Sequence, residues 1–208
     1  MRRKKGTIMI ALGVLLLIGA LGLTGYNFWD AQRAQETAQT ITAAIAADLP
    51  APVQQEAIPE DPGEVEIPDY ILNPKMAMPA AAYEGWDCIG ILEIPSYGLT
   101  LPVISEWSYP ALKTAPCRYT GSAYTDDLII AAHNYRAHFG ALQELQEGEE
   151  VVFTDIDGNV FRYQVAVRET LQPTAVEEMQ SGDWDLTLFT CTAGGSYRVT
   201  VRCERIGS

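Results

Sequence analysis

From Trp86 onward the sequence predicts a mainly β fold: a closed β-barrel of seven or eight strands with short helices, preceded by an N-terminal transmembrane helix and a linker. Three observations predict the barrel. Short runs of β-branched, aromatic and aliphatic residues are divided at close intervals by Gly, Pro, Asp and Asn, which is strand-and-turn texture. Leu128-Ile129-Ile130-Ala131-Ala132 is an unbroken apolar run, the mark of a strand buried on both faces. Asp157-Gly158 separates two strand-like runs, a strong hairpin signal. So many strands with few helices in about 120 residues imply closure of the sheet on itself.

At the N-terminus, Arg2, Arg3, Lys4 and Lys5 precede an uncharged apolar stretch from Thr7 to Gly25. A helix of about 19 residues rising about 1.5 Å each spans a hydrocarbon core of about 30 Å. The positive flank keeps the N-terminus cytoplasmic and sends the rest outward. A cleaved signal peptide fits less well, because the run exceeds the usual apolar segment and Leu21-Gly22-Leu23-Thr24 is a poor cleavage site. The expected organisation is a cytoplasmic basic tail (1–6), a transmembrane signal anchor (7–28), a helical stalk with a Pro- and acid-rich linker (29–83), and a β-barrel domain (84–208).

Within the stalk, Asp30 to Asp48 is rich in Ala, Gln, Thr and Glu with Ile41 and Ile45 one helical turn apart, a polar helix with too few apolar residues to form a core alone. Pro50 stops it. Prolines at 50, 52, 59, 62, 68, 74 and 79, mixed with acids, describe an extended linker whose role is reach.

The barrel elements follow in order. Cys88 to Ile94 alternates and ends at Pro95; Leu101 to Ile104 is a second strand; Tyr109 to Lys113 fits a helical turn. After the central run, Phe139, Leu142 and Leu145 stand at helical spacing, so a short helix is expected to pack there. Glu150 to Asp155 and Asn159 to Val167 flank the Asp-Gly turn, and Leu186 to Cys191 and Arg198 to Arg205 complete the set.

The charge balance excludes one class of partner. With 27 acidic against 14 basic residues, a net charge of −13, and four of the bases in the N-terminal tail, no positive face is available for nucleic acid. Cys88, Cys117, Cys191 and Cys203 form no C-x-x-C, so structural zinc and thioredoxin-type chemistry are disfavoured. An outward-facing compartment permits a disulfide among Cys88, Cys117 and Cys203, with three free buried thiols the preferred reading. Asp155-Ile156-Asp157-Gly158-Asn159 lacks the further oxygen ligands of an EF-hand, and turn chemistry accounts for it. No metal and no cofactor are expected.

The chemistry concentrates near the C-terminus. Thr187-Leu188-Phe189-Thr190-Cys191 reads as a strand with a cysteine at its end, Thr192 to Tyr197 as a Gly-containing turn, and Arg198-Val199-Thr200-Val201-Arg202 as a returning strand. A thiol and a guanidinium are thereby held side by side, and a nearby cation favours the reactive thiolate. The missing partner is a general base. Only His133 and His138 can supply it; His133 closes the apolar run about 58 residues before Cys191, whereas His138 lies beyond the strand end and reads as surface or structural.

Thr187-Leu188-Phe189-Thr190-Cys191 resembles the T-L-x-T-C signature of sortases, the membrane-anchored cysteine transpeptidases of Gram-positive bacteria. Ala132-His133-Asn134 resembles their catalytic histidine segment, with Ala132 where Gly is common, and Arg198 to Arg202 resembles the strand carrying their catalytic arginine. The similarity runs from about Trp86 to Ile206 and includes Ile89 to Pro95 and Leu101-Pro102-Val103. The resemblance implies a sortase barrel that cleaves an LPxTG-like sorting signal through a thioacyl-enzyme and joins the surface protein to an amine. It implies Cys191 as nucleophile, His133 as general acid and base, Arg198 as oxyanion partner and Thr190 as a substrate-binding candidate. The acceptor would be a lipid-linked cell-wall precursor or a pilin lysine, with wall anchoring preferred over pilus assembly. Asp61-Pro62 resembles the lid of pilin-assembling members, but Gly63 follows where those carry an aromatic, and a solvated linker is expected. Two rivals remain: a papain-like protease, in which Cys precedes His and sits on a helix, and a non-catalytic membrane-tethered barrel that only binds wall material.

Overall fold

A computed structural model of the chain describes residues 2–50 and 67–207. Helix α1 runs unbroken over Arg2–Asp48, and α2 is a single turn at Asp69–Leu72. Strands β1 (Ala81–Tyr83), β2 (Trp86–Ile94) and β3 (Leu99–Ile104) lead to α3 (Tyr109–Leu112). Then come β4 (Cys117–Thr120), β5 (Leu128–Ala131), a 3-10 turn at Phe139–Gln143, β6 (Glu150–Asp155) and β7 (Val160–Leu171). Helix α4 (Val176–Gln180), β8 (Leu186–Cys191) and β9 (Arg198–Arg205) follow.

The neighbours run β2-β3-β4-β5-β8-β9-β7-β6, and β6 pairs back onto β2, so eight strands close a mixed barrel with β1 added beside the start of β2. Pairing is antiparallel except for β3 with β4 and β5 with β8. Closure depends on Gly90, where β2 bulges between two partners. Its φ is +155°, and a Cβ there would stand 2.0 Å from the Thr154 carbonyl oxygen. Only glycine fits that approach.

Alternation sets the interior. Leu92, Ile130, Phe139, Phe153, Phe161 and Leu188 are fully buried and fill it. The expected strands are present, with β7 reaching Leu171 past a bulge between Val165 and Val167. The short strands β1 and β4 and the helices α2 and α4 are additions to the elements read from sequence, β1 and α2 falling inside the stretch expected to be linker. The Asp-Gly hairpin forms, and the Asp155 carboxylate is spent inside it, accepting from the Tyr124 hydroxyl at 2.7 Å and from Asn159 at 2.9 and 2.8 Å. Asp61-Pro62-Gly63 lies outside the described residues.

The stretch from Asp30 to Asp48, expected as a polar helix unable to form a core alone, finds its partner in the barrel. The second half of α1 packs on the barrel wall, burying Ala34, Ala38, Ile41 and Ile45, a stripe with helical spacing. Ala38 and the two isoleucines meet Cys88, Ile91, Ile104, Ala115 and Cys117 in a second apolar cluster. The alanines count for little on a hydropathy scale, but their small size lets the helix approach closely. His138 is likewise buried, at 0% exposure, and so is structural and not a surface residue.

Candidate active site

The site forms where three strands end together. Along β8, Leu186, Leu188 and Thr190 face the barrel interior, so Thr187, Phe189 and Cys191 face outward. On β9 the same alternation turns Val199 and Val201 inward and Arg198, Thr200 and Arg202 outward. Cys191 pairs directly with Arg198 across the antiparallel ladder, which puts their side chains on one face at neighbouring positions. Strand β5 runs parallel on the other side, with Ala131 opposite Phe189. Two residues further along, beyond the end of β5, His133 lines the same cleft as Cys191 and Arg198.

Hydrogen bonds hold this alignment after β5 ends. The Ala132 N–H donates to the Phe189 carbonyl at 3.2 Å, and the Thr190 hydroxyl donates to the Ala132 carbonyl at 2.8 Å. Thr190 thus lines the cleft while its hydroxyl is committed to the strand carrying His133. The turn between β8 and β9 is tied by Thr192, whose N–H donates to the Tyr197 carbonyl at 3.0 Å and whose hydroxyl accepts from the Tyr197 N–H at 3.1 Å. Arg198 rests its guanidinium on this turn, donating to the Gly195 and Tyr197 carbonyls at 3.2 Å each.

Cys191 is half-buried and free. It opens into a cleft of about 230 Å³ walled by Trp107, Tyr119, Phe189, Val176 and Met179. The Phe189 ring stands edge-on to Tyr119 at 5.4 Å, and Tyr119 lies 5.8 Å from Trp107. This wall was not legible from the motifs, although α4 falls inside the Val167 to Trp184 stretch where specificity loops are expected. Arg202 fixes α4: its buried guanidinium donates to the Glu178 and Met179 carbonyls at 2.7 Å each, to Glu169 at 2.8 Å and to the Thr187 hydroxyl at 3.1 Å.

Burial lowers the His133 pKa below its ordinary value; Asp30 of α1 acts against this and Lys113 with it. His138 is held down at about 4, by burial first and then by the charge of His133. Burial pushes the Cys88, Cys117 and Cys203 thiols up to about 12, and all three are unpaired with one another. They are inert by the same physics that makes a reactive cysteine need an exposed, cationic setting. Among the described residues, no group of three or more His, Cys, Asp or Glu is placed to hold a metal ion.

A sortase domain model matches residues 92–206. No curated protein matches the chain. Among solved structures, the chain is similar to Pilus Island 1 sortase C2 of Group B Streptococcus, at 26% identity and a TM-score of 0.51 over 58% of this chain and 74% of that one. It is similar in fold to the sortase D5 transpeptidase of Clostridium perfringens, at 22% identity and a TM-score of 0.52 over 58% and 80% of the two chains. A lid mutant of sortase A from Corynebacterium diphtheriae gives 22% and 0.52 over 66% and 76%. The family match covers more than half of the chain and agrees with the barrel and its strand-end cysteine: the protein belongs to the sortase family, a family of cysteine transpeptidases.

Proposed function

We propose that this sortase cleaves an LPxTG-like sorting signal and joins the carrier protein to an amine of a lipid-linked cell-wall precursor. The observation that carries the reading is the direct cross-strand pairing of Cys191 with Arg198 beside His133, at the mouth of an open apolar cleft. The Cys191 thiol passes its proton to His133 as its sulfur attacks the carbonyl carbon of the signal's threonine, and Arg198 swings from its turn to meet the oxyanion. The Thr–Gly C–N bond then breaks, His133 gives its proton to the departing glycine amine, and a thioacyl-enzyme remains. An acceptor amine attacks the thioester and passes its proton to His133, which returns it to the Cys191 sulfur as the C–S bond breaks. The product is a new amide, so the tail is exchanged and not hydrolysed.

Thr190 supports this chemistry by clamping the Ala132 carbonyl, and so fixes the level of His133. The basic N-terminal flank and the long apolar helix, which is able by length and composition to cross a membrane, support a single-pass anchor with the N-terminus cytoplasmic and the barrel outside the cell. We place the tail at 1–6, the span at 7–28, the helical stalk and linker at 29–83 and the catalytic domain at 84–208. Tethering enzyme, emerging substrate and lipid-linked acceptor to one membrane raises their effective concentration.

A pilin lysine is the second acceptor class, favoured by the 26% identity with the Pilus Island 1 enzyme. The test is a ligation assay on the full chain in lipid vesicles, with an LPxTG-type peptide and either a wall-type amine or a lysine-bearing pilin peptide. Ligated product with the wall amine, lost in Cys191→Ala and His133→Ala, is expected. Product with the lysine peptide alone would move the assignment to pilus assembly. Turnover retained in Cys191→Ala would end the proposed mechanism.

A further inference from the structure

Beyond the end of β5 at Ala131 the chain passes through His133 toward α1, where Tyr135 makes three contacts. Its ring lies against His133, with centroids 5.0 Å apart and planes at 34°. It also approaches the buried His138 ring at 5.5 Å. Its hydroxyl donates a 2.8 Å hydrogen bond to Asp30 Oδ2, from a residue 105 positions earlier in the chain. Asp30 is well covered, with 13% of its side chain exposed, and its other oxygen lies 3.8 Å from Arg33.

The helix that brings Asp30 here cannot slide freely, because Ala34, Ala38, Ile41 and Ile45 are buried on the barrel beyond it. On its other side, Tyr26, Phe28 and Trp29 are exposed at the end of the apolar stretch, where amphipathic aromatics mark a membrane surface. A catalytic imidazole is ordinarily oriented by a third group bonded to its ring. Among the described residues no side chain hydrogen-bonds the His133 ring, and the face of Tyr135 is the group set against it.

From these contacts we infer that Asp30 and Tyr135 are positioning residues for the reaction, through which the membrane helix holds the His133 imidazole level with Cys191. The inference rests on the general acid and base role proposed for His133. A charge-assisted bond to Asp30 fixes the Tyr135 ring, and that ring in turn fixes the plane of His133. The Asp30 carboxylate has a second effect, because it favours the imidazolium against the burial that opposes it. The other groups facing the ring are Lys113 after α3, His138, and Cys191 and Arg198 across the cleft. One consequence is spatial. Asp30 lies just beyond the apolar stretch of α1, so the anchor is part of the active site and not only a tether.

The test uses the full chain in lipid vesicles, with Tyr135→Phe, Asp30→Asn, Asp30→Glu and His133→Ala, and an LPxTG-type peptide with an amine acceptor. Tyr135→Phe keeps the ring and loses only its hydroxyl; kcat is expected to fall about tenfold with KM for the peptide little changed. In Asp30→Asn, kcat is also expected to fall, and the acid limb of kcat/KM against pH should move to lower pH, since loss of the carboxylate makes His133 harder to protonate. Asp30→Glu should restore the limb. A purely structural role would lower the folded fraction without moving it. Wild-type kcat and an unmoved limb in folded Tyr135→Phe and Asp30→Asn, with His133→Ala inactive, would overturn the inference. Turnover retained in His133→Ala would overturn the underlying reading of the site.

Discussion

Cys191 and Arg198 are direct cross-strand partners on the last rung of the β8–β9 ladder, on the face turned away from the barrel core. The guanidinium rests on the carbonyls of its own turn, which substrate can replace as acceptors. Removing an oxyanion donor costs about 10²–10³ in kcat, so Arg198→Ala is expected to fall by that order and Arg198→Lys by less, because an ammonium keeps the positive charge although it lacks the forked geometry. Steady-state kinetics on a sorting peptide measure both. Equal losses in the two would mean that the forked geometry is what matters and that charge alone contributes little.

Arg202 is a second arginine on the same face with a different task. It ties the last carbonyls of α4 to β8 and β9, and α4 walls the cleft through Val176 and Met179. Arg202→Met is expected to raise KM for the peptide several-fold with a smaller change in kcat, and to lower stability by about 2 kcal/mol. Glu169 is part-exposed and can be resolvated once its partner is lost. A fall in kcat at constant KM would place Arg202 in the chemistry instead of in the wall.

His138 makes the stability of the fold pH-dependent. Its folded pKa of about 4 lies below the ordinary 6.5, so the unfolded chain takes up the proton first as the pH falls. The stabilisation is complete above about pH 6.5 and is lost progressively toward pH 4, amounting to about 3 kcal/mol. Denaturant unfolding of the full chain across this window should show that slope. His138→Gln should flatten it, and an unchanged slope in that variant would assign the effect to other groups.

The docked half of α1 gives a sharper test of architecture than its composition does. Ile41 is fully buried between the helix and the barrel, so Ile41→Ala is expected to cost about 2–4 kcal/mol in unfolding free energy. A solvated stalk would respond by less than about 0.5 kcal/mol.

Much of this arrangement could be read from local sequence signals. The unbroken run before His133, the Asp-Gly hairpin and the strand-end cysteine each follow from short-range rules, and the barrel was read from them; the roles expected of Cys191, His133 and Arg198 came from the resemblance. Strand β4 was not legible, because Cys117 to Thr120 is short, runs from a buried residue to an exposed one without alternation and meets β3 at a single parallel register position, Ile104 with Cys117. Helix α4 carries no cap signal: its N-cap position is Ala175, without a side-chain bond. The docking stripe on α1 was obscured because half of it is alanine. The Tyr135–Asp30 bond joins residues 105 apart, and nothing local to either one announces the other.

The most direct measurement is intact-mass and peptide-mapping mass spectrometry of the full chain, incubated with an LPxTG-type peptide without acceptor and then quenched in acid. An acyl adduct on Cys191, cleared on adding an amine and absent in Cys191→Ala, is the predicted result. Turnover of the peptide by folded protein with no adduct at Cys191, or with an adduct at Cys88, Cys117 or Cys203, would contradict it.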